Sequence, residues 1–141
     1  MTEGTAAEPL LLRPIGVVRS PFRTKNDVPK GLGALHDEEG RLEILPELAA
    51  GLADIEGFSH LYVLWIFDRA GAYELVGRNP TDGLQHGVFA TRSPDRPNPI
   101  GLHRVSVLQI AGPRLRVAPL EAIDGTPIID LKPVLTRLQD R

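Results

Sequence analysis

The sequence predicts a mainly β fold: a small barrel or sandwich of six or seven short strands with long loops and little helix. Three observations lead there. Short apolar, β-branched segments recur along the chain and are separated by turn residues. The 141 residues include 14 glycines and 13 prolines, which interrupt every long helical pattern. Strands do not alternate with helical segments, so the βαβ rhythm of a doubly wound sheet is missing.

The elements follow in order. Residues 1–9 carry two acids and no apolar run, and are expected to form a flexible tail rather than a secretory signal. Residues 10–136 are expected to be one domain, and 137–141 a C-terminal tail. Ile15–Val18 is a strand candidate that Ser20-Pro21 ends, because proline lacks a ladder donor. Residues 20–40 form a long Gly, Pro and charged stretch, and loops of that length are often functional. Arg41–Leu45 alternates polar and apolar and suits a strand. Glu47–Ala53 suits one or two helical turns. His60–Phe67, HLYVLWIF, is the clearest strand, and its continuous apolar character predicts cover on both faces. Either the 69–86 loop or a second subunit would cover its outer face. Residues 70–86 look like loop, and Gly87–Thr91 like a short strand. Leu102–Ile110, Arg114–Leu120 and Ile128–Lys132 complete the set, with turns at Gly112-Pro113 and Asp124-Gly125.

Composition bounds function. There is no cysteine, which excludes disulfides, thiolate ligands and a cysteine nucleophile. The four histidines show no HExxH spacing, so no metal site is expected. The longest apolar run, Leu61–Phe67, is too short to span a bilayer. A cytoplasmic location is the default expectation. The net charge is −2, without the basic excess of a non-specific nucleic-acid binder. The charge is uneven: residues 1–58 hold six Lys/Arg against ten Asp/Glu, and 59–141 hold ten against eight.

The richest segment is GVFATRSPDRPNPIG, Gly87–Gly101. Three prolines in six residues lock φ and remove three donors, so its middle can be neither ordinary helix nor strand. Pre-ordering lowers the entropy cost of holding a ligand. Arg92 and Arg96 offer planar forks for carboxylate or phosphate, and Asn98 offers a donor and an acceptor. Two readings stand from the residues alone: a ligand-binding loop, or a rigid turn with solvated arginines. Asp124-Gly125-Thr126 joins a carboxylate, a flexible peptide and a hydroxyl, though locally a plain hairpin turn is the stronger reading. Trp65 and Tyr62 look like core or interface rather than a stacking platform.

Four blocks carry a resemblance: Ile15–Phe22 (IGVVRSPF), Glu56–Leu61 (EGFSHL), residues 87–102 (GVFATRSPDRPNPIGL) and residues 124–133 (DGTPIIDLKP). Together the chain resembles the TsaA/TrmO family. The resemblance implies that the fold is a small closed β-barrel that works as a dimer and uses S-adenosyl-L-methionine to methylate N6 of N6-threonylcarbamoyladenosine at position 37 of tRNA. It implies a cofactor pocket near the dimer interface built from Pro29, Gly31, Asp68, Arg69, Arg92, Leu102, Ile123, Asp124 and Gly125. Arg92, Asn98 and Asp124 are the catalytic candidates, and Arg96 and Lys132 the substrate-binding ones. The chain departs from the family pattern in four places. Val28-Pro29-Lys30-Gly31 lacks the usual glutamine, and Asp68 replaces a frequent histidine. Gly77–Asp82 stands where an RPPR-like segment is usual, and Lys132-Pro133-Val134 replaces KPY. Two other readings fit the residues: a methyltransferase of the same architecture acting on a small molecule or peptide, and a non-catalytic S-adenosylmethionine-binding module.

Overall fold

Along most strands, inward apolar residues alternate with outward polar ones, and that period of two is what a closed sheet requires. The computed structural model describes residues 8–24, 27, 38–78 and 82–136. Among these lie eight strands: β1 (Gly16–Arg19), β2 (Gly40–Ile44), β3 (His60–Ile66), β4 (Val76–Arg78), β5 (Gln85–Gly87), β6 (Ile100–Ala111), β7 (Arg114–Ala118) and β8 (Pro127–Pro133). Six of them form a closed antiparallel barrel in the order β1-β2-β7-β6-β3-β8, with β8 returning to β1. Val18, Leu42, Leu61, Val63, Val105, Leu115, Val117, Leu120 and Ile128 fill the interior and are fully buried.

Several expectations shift. Glu47–Ala53 forms a 3-10 turn over Pro46–Leu52, where Pro46 pre-sets the first φ. Gly87–Thr91 is not a strand. Only Gly87 pairs, and Val88–Ala90 winds into a 3-10 turn closed by the Thr91 N–H on the Val88 carbonyl. The 70–86 segment contains the β4–β5 hairpin, whose three-residue strands are too short to show a period. Asp124-Gly125 is a turn with Gly125 at φ +89°, but it is no hairpin, because β7 and β8 are not neighbours in the sheet. Instead it is laced to the chain leaving β1: Asp124 N–H donates to the Phe22 carbonyl (2.7 Å) and Gly125 N–H to that of Val18 (2.8 Å). Along β3, Leu61, Val63 and Trp65 are buried while Tyr62, Leu64 and Ile66 on the outer face are only half-buried.

One irregularity positions the site. β6 pairs with β3 from Ile100 to Ser106, but with β7 only from Ser106 onward. The first half of β6 therefore leaves one side open, next to the proline-rich loop.

Candidate active site

The loop before β6 is held by its own side chains. Thr91 Oγ donates to the Val88 carbonyl (2.8 Å), and Arg96 donates to the carbonyls of Thr91 (2.7 Å) and Ser93 (3.2 Å). Asp95 Oδ1 accepts the Gly71 N–H at 2.7 Å, and the Pro99 carbonyl accepts that of Phe67 at 2.7 Å. These bonds fasten the loop to the chain leaving β3, in a stretch where proline has removed backbone donors.

Between this loop and the open side of β6 lies a recess of about 440 Å³, a volume suited to a small molecule or cofactor. Its apolar wall is Trp65, Phe67 and His103. The Trp65 ring is 5.8 Å from the His103 ring and meets Phe67 edge to face at 6.3 Å. Gly101, opposite Trp65 in the register, makes room for them, since a Cβ there would overlap both the indole and the Phe67 ring. Arg92, Arg96 and Asn98 supply the polar side. Arg92 makes one long contact, 3.5 Å to the Leu102 carbonyl, so its guanidinium is available to a ligand, whereas Arg96 is committed to bracing the loop. Trp65 is 2 % exposed and its Nε1 has no hydrogen-bond partner. That nitrogen packs against Gly101 and is closed off from solvent.

Asp124 lies elsewhere. It lines a second recess with Arg19, Ser20 and Arg23. Its Oδ1 accepts the Ser20 N–H at 3.0 Å, and its Oδ2 is 3.8 Å from Arg19. Ser20 Oγ in turn donates to the Ala122 carbonyl at 2.6 Å. Phe67 lines the first recess, and two residues on Arg69 donates to the Arg23 carbonyl (3.2 Å), so Asp68 and Arg69 connect the two regions along the chain. Arg92, Arg96, Asn98 and Leu102 are thus brought together, while Ile123, Asp124 and Gly125 group with the chain after β1. Lys132 is exposed on β8, 3.3 Å from Asp130. Pro29 and Gly31 lie outside the described residues. Sequence reasoning missed Trp65, Phe67 and His103 as recess residues. Only the register opposite Gly101 could have revealed them. Among the described residues, no group of three acids or histidines is placed to hold a metal.

S-adenosylmethionine offers a purine, a carboxylate and a sulfonium. The recess answers with a flat apolar wall, a free guanidinium and an amide, so its residues fit that group. The fold and site define a class: a six-stranded antiparallel barrel with a small-molecule recess at the open side of one strand. Within that class, the chain belongs to the TrmO family of S-adenosylmethionine-dependent methyltransferases: the tRNA-methyltransferase O N-terminal domain matches residues 17–140. An S-adenosyl-L-methionine-binding protein of Archaeoglobus fulgidus is 46 % identical over 123 residues, covering 87 % of this chain and 88 % of the relative. The tRNA (adenine(37)-N6)-methyltransferase of Escherichia coli is 37 % identical over 131 residues, covering 86 % of this chain and 56 % of that protein. The crystal structure of TrmO from Pseudomonas aeruginosa superposes with a TM-score of 0.74 at 32 % identity, over 91 % of this chain and 57 % of that one. The chain thus spans a little over half the length of these last two.

Proposed function

We propose that this protein transfers a methyl group from S-adenosylmethionine to N6 of N6-threonylcarbamoyladenosine at position 37 of tRNA, in the cytoplasm. The observation that carries the reading is the recess where the free Arg92 guanidinium and the Asn98 amide stand across from the wall of Trp65, Phe67 and His103. The cofactor supplies a methyl group already activated on a sulfonium, so the protein's task is mainly alignment.

Each residue then has a task. Arg92 holds a carboxylate by a charge-assisted bond. Asn98 pairs with a purine edge. Trp65, Phe67 and His103 exclude water from one side. Asp68, Arg69, Ile123 and Gly125 bind the cofactor, together with Pro29, Gly31 and Leu102. Arg96 orders the loop and, with Lys132, faces the substrate. Asp124 Oδ2 accepts the proton that the acceptor nitrogen releases. Because Arg92 and Asp124 line different recesses, a second copy is the means of bringing both to one cofactor. Exposed Tyr73, Leu75, Val76, Leu84 and Phe89, on and around the β4–β5 hairpin, supply apolar surface for such a homodimer.

The test compares methyl transfer to tRNA bearing N6-threonylcarbamoyladenosine, to tRNA without it, and to free metabolites and peptides. Transfer only to the modified tRNA is expected, with the unmethylated nucleoside accumulating in a deletion strain. Transfer only to a small molecule or peptide would move the acceptor assignment there. The Archaeoglobus relative is named for binding alone, and a pure binding module would take up cofactor without transfer to any of the three.

A further inference from the structure

Three arginines stand side by side on the outer face of the barrel. The register pairs Arg19 of β1 with Arg41 of β2, and Arg41 with Arg116 of β7. All three are exposed, while Val18, Leu42 and Leu115 next to them along the strands are fully buried. Neighbouring strands are about 4.8 Å apart, so the row spans about 10 Å. Like charges directly opposite across a sheet are destabilising, and this row contains two such pairs. Its ends are compensated: Arg19 lies 3.2 Å from Glu43, and Arg116 lies 3.1 Å from Glu39. Arg41, in the middle, has no ion-pair partner among the described residues. The row lines the second recess, of about 510 Å³, to which Arg23 adds a fourth guanidinium and at which Asp124 stands.

A fold that sets arginines against one another and leaves the central one unpaired is arranged for an anion from outside. The groups form a line rather than converging on a point, which suits a chain of anions better than a single small one. The net charge of −2 makes the strip a local feature rather than part of a general basic surface. We propose that the Arg19–Arg41–Arg116 row, with Arg23, is the strip on which the phosphate backbone of the RNA acceptor docks, leading it to Asp124. The inference rests on the RNA-methylation reading and adds the surface that reading lacks, since neither Arg41 nor Arg116 is among the residues that reading gives to the cofactor.

The experiment measures tRNA binding to the whole chain as a function of salt, for the wild type, Arg41→Ala, Arg41→Lys and the double variant Arg41→Ala/Arg116→Ala. Cofactor affinity and thermal midpoint are measured alongside. The slope of log affinity against log salt is expected to fall by about 1 for Arg41→Ala and about 2 for the double variant. Arg41→Lys should keep most of it. Cofactor affinity should not move, and the midpoint of Arg41→Ala should stay level or rise as like-charge repulsion is relieved. An unchanged slope, with wild-type tRNA binding intact, overturns the docking strip while leaving the methylation reading in place. A lowered midpoint with an unchanged slope makes the row structural. Absence of both tRNA binding and tRNA methylation in the wild type overturns the functional reading, and the strip with it.

Discussion

Arg92 and Arg96 look equivalent in the sequence, four residues apart in one loop, yet they do different work. Arg96 donates two bonds to loop carbonyls, and Arg92 makes one long contact to the Leu102 carbonyl. Hydrogen bonds from a charged group contribute about 1.5–3 kcal/mol. Arg92→Ala should therefore weaken S-adenosylmethionine binding roughly tenfold or more while leaving the chemical denaturation midpoint almost unchanged. Arg96→Ala should lower stability by about 1–3 kcal/mol, because it leaves the Thr91 and Ser93 carbonyls without their donor. Calorimetric titration and urea unfolding of both variants separate the two roles, and equal loss of stability in both would refute the distinction. Arginine at both places is plain in the sequence. Which one is spent on the backbone depends on where the loop turns, and that is not.

At the scale of the element, the β4–β5 hairpin is a separate sheet outside the barrel, and a two-stranded unit is marginal by itself. Asp82 braces it: Oδ1 accepts the Leu84 N–H at 2.9 Å and Oδ2 lies 2.7 Å from His86 Nε2. Arg78 caps the same turn on the Gly83 carbonyl. The Leu84 N–H, and after it His86, hold the Asp82 carboxyl below its ordinary value of 3.8. A lowered folded-state pKa means a contribution that is complete above the ordinary value and is lost as pH falls through the folded one. Protection of the Leu84 amide from hydrogen exchange, corrected for intrinsic rate, should accordingly hold at about pH 5 and fall toward about pH 2. Asp82→Asn should flatten that dependence. No run in Tyr73–Gly87 announces this hairpin, because three-residue strands carry too few positions for alternation to stand out.

For the whole molecule, closure is the dominant fact. The seam between β1 and β8 is short, with only Gly16–Ile128 and Val17–Pro127 in register. It is reinforced by Ile15 N–H on the Ile128 carbonyl (2.7 Å) and Val18 N–H on that of Thr126 (2.9 Å). A short seam leaves the packed interior to hold the cylinder together. Leu42, fully buried on β2 between β1 and β7, is part of that interior. Leu42→Ala should cost about 2–5 kcal/mol and lower the thermal midpoint by roughly 5–15 °C. A drop of less than about 1 kcal/mol would mean that the interior collapses around the gap.

The sequence by itself determined the mainly β class, the main strands and the loop that carries Arg92, Arg96 and Asn98. Each of those rests on residues close together in the chain: a period of two, a run of β-branched side chains, three prolines in six positions. Only the tertiary structure decided that Trp65 packs against Gly101 in the wall of a recess, that Asp124 belongs to a second one, and that Arg19, Arg41 and Arg116 form a row. Those relations join residues as much as 104 positions apart, as Ser20 and Asp124 are. They depend on strand order and register, and a one-residue slip of register would turn each of these side chains to the opposite face.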